Sequence, residues 1–332
     1  MIKDRNIDPL ANIDPTKILG GLGNPLRNQA NVVYVDGDNG SDTVNGKTPG
    51  RAFKTIQAAV TAVGAWGRVY VFPKNIAATD TDPASYAETV IIPATHEGVQ
   101  IIGVLTGRTQ GGLPQIKIGA GSTAILTIRS AGCGIYNIGI NGVSSTGGGI
   151  KLDDDGGTSK VAFGATIANC HFKNCAVSAT NASSGGAITL AGAPWQVTIQ
   201  GNQFFNNIGD IVHIPTYSDA KDVIIQDNIF SSTGSSDCNI YMTGSSGDAT
   251  GLVIDSNIFR GFPAVGSGVN LRFAVLTGYT GILSNNSFAS NDKTFKAAGS
   301  GALVPATMFM AGNYQESTDA VGTFGSLTGR SS

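Results

Sequence analysis

Two carboxylates are the first residues whose placement suggests chemistry. Asp227 and Asp255 fall in successive copies of one pattern, Ile225-Gln226-Asp227-Asn228-Ile229-Phe230 and Ile254-Asp255-Ser256-Asn257-Ile258-Phe259. Acids on adjacent turns of a chain could stand ~5–9 Å apart, the separation at which a carboxylate pair cleaves a glycosidic bond. The registers differ, because Asp227 directly precedes its Asn and Asp255 stands two places before, so the pattern does not put them on one face. An elimination reaction would also need a basic side chain beside calcium-binding acids, and Arg260 and Arg272 are the arginines nearby.

Other candidates are weaker. Asp36, Asp38 and Asp42 crowd a Gly-rich loop, as ligands of a hard cation do, but they lack the ordered spacing and closing Glu of a calcium loop. They read better as turn formers, since Asp and Asn fold back onto their own backbone. Asp153, Asp154 and Asp155 are consecutive and point in different directions, which suits a solvated turn. His96, His171 and His213 are scattered without nucleophile or metal spacing, and alternation turns His171 outward between Cys170 and Phe172. Cys133, Cys170, Cys175 and Cys238 lack zinc-type spacing and read as buried, reduced thiols, with a Cys170–Cys175 disulfide left open. Trp66 is expected in the core and Trp195 as a surface platform. We expect no catalytic residue, metal ion or cofactor from these residues.

The elements that would position such groups are repeats. Asn202, Asn228, Asn257 and Asn286 are spaced by 26, 29 and 29 residues, each three places after an aliphatic residue and two before Phe204, Phe230, Phe259 and Phe288. A period of this length marks a solenoid, whose units bury their apolar side only by stacking on neighbours. The aliphatic residue and Phe point inward, and Asn is expected to take the bend between two short strands in the left-handed backbone region. Stacked amides then hydrogen-bond along the axis, and stacked phenyl rings form a column. Upstream, Ile167 to Phe172 keeps the pattern with Cys170 at the Asn place. Downstream, Asn313 continues it, with Tyr314 one place off register. About nine coils at ~4.8 Å would make a rod ~40 Å long.

With 46 glycines and 13% charged residues, the chain of 332 suits turn-dense β structure. A formal charge of −2 without clustered cations excludes a field that would hold nucleic acid or an anionic membrane. Residues 1–30 stand apart: Asn6-Ile7-Asp8-Pro9 recurs as Asn12-Ile13-Asp14-Pro15, an extended arm with a doubled apolar anchor. Residues 31–68 supply an opening strand, the acidic loop and a helix carrying Ile56, Ala59, Val60 and Val63 on one face, placed to cap the open end of a solenoid. Coils occupy 69–316, and 317–332 form a tail.

The run Tyr34-Val35-Asp36-Gly37, Gly40-Ser41-Asp42, Gly46, Pro49 and Phe53-Lys54-Thr55-Ile56-Gln57-Ala58-Ala59 resembles the opening of the pectate-lyase-like right-handed parallel β-helix superfamily. The resemblance implies an all-β right-handed parallel β-helix. It says little about activity, because the superfamily includes polysaccharide lyases, glycoside hydrolases, bacteriophage tailspikes and non-catalytic virion proteins. Its phage branch implies a non-enzymatic virion protein, a decoration, head fibre or short spike, forming a homotrimer. The chain opens without a hydrophobic signal core, so assembly in the host cytoplasm and a virion location are expected, with the arm binding a capsid or other virion protein through Ile7, Asp8, Pro9, Ile13, Asp14 and Pro15. A polysaccharide-degrading enzyme and a non-catalytic module for host-surface glycan stay open as rivals.

Overall fold

Inward Val and Ile residues alternating with outward ones make the opening strands of the first sheet one-sided. Val33 lies beside Val69 and Val35 beside Val71 in parallel register, all four fully buried. The computed structural model describes residues 31–75, 84–105, 112–117, 124–142, 148–152, 162–175, 185–207, 209–214, 219–231, 238–242, 249–260, 269–273, 278–288, 295–297, 307–316 and 324–327. The arm residues Ile7, Asp8, Pro9, Ile13, Asp14 and Pro15 lie outside them, as do Asp153, Asp154 and Asp155.

The strands form three sheets of ten, ten and eight strands, each running in sequence order along one axis. The first runs from Val32–Val35 to Met308–Ala311. The second runs from Tyr86–Ala87 to Phe324–Leu327, and the third from Val90–Ile92 to Phe295–Ala297. The chain visits the sheets in rotation and pairs each strand with its counterpart one coil on. This is a parallel β-helix, right-handed as parallel crossovers are. Side chains from all three sheets meet in one continuous apolar core.

Two residues turn the chain from the first sheet to the second in each central coil. The first of the two is left-handed: Asn137, Asn169, Gly201, Asp227, Ser256 and Asn285 have φ between 54 and 65°. The second carries the ladder side chain. Asn202, Asn228, Asn257 and Asn286 have no positive φ, which corrects the expectation that Asn itself adopts the left-handed bend. The reversal at the preceding residue is what aims the Asn side chain into the rod. Gly, Asn, Asp and Ser share the bend because small or locally bonding side chains tolerate that region best.

The ladder amides are bonded from coil to coil. The Oδ1 atoms of Asn228, Asn257, Asn286 and Asn313 accept from the backbone N–H of the Asn one coil before, at 2.9–3.1 Å. Each Nδ2 from Asn202 to Asn286 donates to the next Oδ1 and to a carbonyl of the coil behind. Cys170 heads the ladder, its N–H 2.9 Å from Asn202 Oδ1. Beside it Phe172, Phe204, Phe230, Phe259 and Phe288 stack with centroids 4.6–5.0 Å apart and planes within 11° of parallel.

Both ends carry covers. The helix Ile56–Val63 buries Ile56, Ala59, Val60 and Val63 against the first coil. Thr55 caps it by accepting from Ala58 N–H, and the Glu88 carboxylate takes the N–H groups of Ile56 and Gln57, both at 2.9 Å. At the far end, within the segment read as a tail, Phe324–Leu327 pairs antiparallel with Asn313–Glu316.

Candidate functional site

Asp227 lies in the turn between the first and second sheets, Asp255 ends the first-sheet strand one coil on, and the two bond in opposite directions along the rod. Asp227 occupies the left-handed place and accepts from Gln200 Nε2 of the preceding coil at 3.2 Å. Asp255, which pairs with Gln226 rather than with Asp227, accepts from Ser284 Oγ at 2.5 Å, Ser256 Oγ at 2.8 Å and Asn285 Nδ2 at 2.9 Å. Desolvation pushes the Asp255 carboxyl up, but those three donors outweigh it and hold the group below the ordinary aspartate value. A general acid needs the reverse shift. Arg272 is no partner for either, since its guanidinium lies over the Tyr241 ring at 4.8 Å.

The opening-loop acids fasten turns. Asp36 accepts from the N–H groups of Asp38 and Asn39, Asp42 from those of Lys54 and Thr55, and Asp38 from that of Asn75. Among the described residues no cluster of metal-ligating side chains forms. Cys133, Cys170, Cys175 and Cys238 are buried free thiols. His213 is buried inside the rod, and His171 stands on the outer face of the second sheet.

The tryptophans reverse one expectation. Trp66 is 59% exposed, not core, because it takes a left-handed turn that throws its ring outward across Gly98. A Cβ at Gly98 would stand 2.2 Å from that ring, so only glycine fits beneath it. Trp195 is partly exposed, but Lys221 Nζ sits 4.8 Å over its ring and its Nε1 donates to the Asp219 carbonyl. That ring face is occupied by the chain's own cation.

Sequence reasoning missed two sets of residues. Inside the rod, Asp210 is fully buried and accepts from Asn207 Nδ2 at 2.9 Å and Asn239 Nδ2 at 2.6 Å, a second polar brace. Its signal is a polar residue before the inward Ile211 and Ile240, which pair in register. Outside, a groove of about 590 Å³ crosses the second sheet, lined by His171, Lys173, Phe205, Ser231 and Arg260 among others. Each of Lys173, Phe205, Ser231 and Arg260 directly follows a Phe of the inward column, so alternation alone points it out of the rod.

The fold and the site define a right-handed parallel β-helix with turn-locked acids and a laterally exposed groove. The chain matches no family model and no curated protein. Solved structures similar to it include pectin methylesterase from Aspergillus niger, at 14% identity over 88% of each chain with a TM-score of 0.41. Pectin methylesterase from carrot shares 15% identity over 87% of this chain and 84% of that one, TM-score 0.43. PfbA, a surface adhesin of Streptococcus pneumoniae, shares 10% over 80% of this chain and 86% of that one, TM-score 0.38. Likenesses this distant leave ligand and activity to the residues themselves.

Proposed function

We propose that this chain is a non-enzymatic structural protein of a bacteriophage particle, a capsid decoration, head fibre or short spike. Residues 1–30 attach it to a virion protein, and the rod projects as a parallel homotrimer. The observation that supports this reading is the engagement of Asp255. The carboxylate best placed for chemistry is tied to Ser256, Ser284 and Asn285 across two coils and serves as a turn fastener. Its neighbour Asp227 bonds the other way, so the two acids do not converge on one reacting bond.

A co-sedimentation assay on purified particles tests the reading. The full chain is expected to remain on particles, and a chain lacking residues 1–30 to lose occupancy while still folded. Hydrolysis or elimination of capsular polysaccharide by the wild type, abolished in Asp255→Asn or Asp227→Asn, would instead establish an enzyme. The rival reading, a non-catalytic glycan-binding module, is favoured by one observation, the outward groove of the second sheet lined by His171, Phe205 and Arg260.

A further inference from the structure

The geometry points to the far edge of the first sheet, strand Met308–Ala311, as a self-pairing surface. A second copy of this chain adds its own Met308–Ala311 antiparallel to it, joining two rods end to end about a two-fold axis through Phe309. The inference goes beyond the particle reading above and does not depend on it.

The two ends of this sheet differ. At the near end the outer edge of Val32–Val35 is covered by the loop that follows it: Tyr34 N–H donates to the Gly46 carbonyl, Phe53 N–H to the Tyr34 carbonyl and Asp36 N–H to the Phe53 carbonyl, each at 2.8 Å. At the far end Met308–Ala311 pairs with Gly281–Ser284 on one side, and no described strand pairs with it on the other. Such an edge is a template on which another strand adds, and exposed edges are ordinarily blunted by a lysine, a proline or a bulge. Met308-Phe309-Met310-Ala311 has neither charge nor proline, and it pairs with the strand behind it residue for residue.

The sequence of the edge selects its occupant. Met308, Phe309 and Met310 read the same in both directions, so a copy laid antiparallel with Phe309 opposite itself sets each Met308 against the other chain's Met310. Directly opposed residues of an antiparallel pair point to one face, and every pairing here agrees with that. Met308 belongs to the core and Met310 packs partly buried against it, whereas Phe309 between them is 65% exposed. The two cores therefore continue across the joint, and two outward phenyl rings meet as a cross-strand aromatic pair. A slip of one residue would set Phe309 against Met310 and turn the core side of one rod toward the solvent side of the other. Ile282, beside Phe309 in register and 43% exposed, widens the apolar patch. No charge on the strand opposes its own image across the axis. A contact of one strand edge and its flanking side chains is small against the ~1,200–2,000 Å² of a stable complex, so the pair is expected to form at micromolar concentration. Residues 1–30 precede the opposite end of each rod, so on the particle reading a pair holds one attachment arm at each tip, ~95 Å apart for two ten-strand sheets.

Sedimentation equilibrium of the full chain over about 1–200 μM is expected to show a concentration-dependent doubling of mass, from one chain to two or from three to six. Phe309→Cys should give a disulfide-linked pair under copper-catalysed air oxidation, because opposed Cα atoms of an antiparallel pair stand ~4.5–5.5 Å apart. Ile282→Cys, one coil back, lies three strand spacings from its image, ~14 Å, and should stay unlinked. The native thiols Cys133, Cys170, Cys175 and Cys238 are buried and do not compete. Phe309→Lys, which sets like charges on the axis, should weaken doubling at least tenfold. Phe309 and Ile282 are surface residues, so unfolding midpoints close to wild type verify the fold. A wild-type mass independent of concentration would overturn the proposal and leave the edge to a strand of another protein. Equal linking through Ile282→Cys, or doubling that survives Phe309→Lys, would overturn it as well. A chain lacking residues 1–30 should double as the full chain does, which separates the two readings: loss of doubling alone refutes the pair, and unchanged particle occupancy alone refutes the arm.

Discussion

The side-chain oxygen of Asn257 accepts from both the backbone N–H and the Nδ2 of Asn228, each at 3.0 Å. Both residues are fully buried, so one amide closes four polar valences in an apolar interior. Repeated coil by coil, this contact fixes the stacking distance of the whole rod. Its side-chain atoms have no water to fall back on.

Replacing Asn257 by Ala orphans the Asn228 N–H and one Nδ2–H of Asn228 in the core. At ~1–3 kcal/mol per buried unsatisfied group, Asn257→Ala is expected to lower stability by about 3–5 kcal/mol. Guanidinium unfolding read by circular dichroism measures it. A loss below about 1 kcal/mol would mean that the ladder contributes alignment and little energy.

The left-handed turn gives a prediction of opposite sign. Asp227 has φ 56°, a conformation that strains side-chain-bearing residues by ~1–2 kcal/mol and glycine hardly at all. Asp227→Gly should therefore leave stability unchanged or raise it by up to about 1 kcal/mol, and Asp227→Val should lower it by ~1–2 kcal/mol. Thermal midpoints of the two variants, compared with wild type, decide the order.

Asp255 links stability to acid. Its folded pKa lies below the unfolded value, so its contribution is present above that value and is lost as pH falls through the folded one. Asp255→Asn should be less stable than wild type near pH 7, and the gap should close on acidification below about pH 4. Unfolding midpoints collected across that range test the slope, and a gap that widens in acid contradicts it.

Thiol reactivity reports the core. Desolvation pushes Cys170 up to about 12 and raises Cys133 as well. Cys175 is raised by burial and by the negative charge of Asp210. Because thiolate is the reacting form, the native chain near pH 8 should react with Ellman's reagent only slowly. All four thiols should react at once after denaturation. Rapid native labelling of Cys170 or Cys175 would place these coils in an open state.

The repeat was legible because its inward positions obey a local rule. Aliphatic, Asn and Phe recur at fixed offsets, and their side chains have one environment available, the stacked interior. The cap helix was legible for a similar reason, its apolar residues falling at helical spacing. The bend was misassigned by one residue. Asn tolerates left-handed backbone, but φ at the place before it is carried by Asn, Gly, Asp and Ser in turn, so no single residue type marks it. Trp66 misled because large aromatic rings favour burial, and only its φ of 62° turns it out.

By itself, then, the sequence determined a stacked β-helix with an asparagine and a phenylalanine column, since each of those residues is dictated by neighbours one period away. Tertiary structure alone decided which outward side chains share a surface. Lys173 and Arg260 are 87 residues apart in the chain, and they line one groove only because parallel register stacks the coils of Phe205 and Ser231 between them. It likewise decided that Asp227 and Asp255 look away from each other, because the direction of a carboxylate depends on which turn residues of adjacent coils offer it a hydrogen.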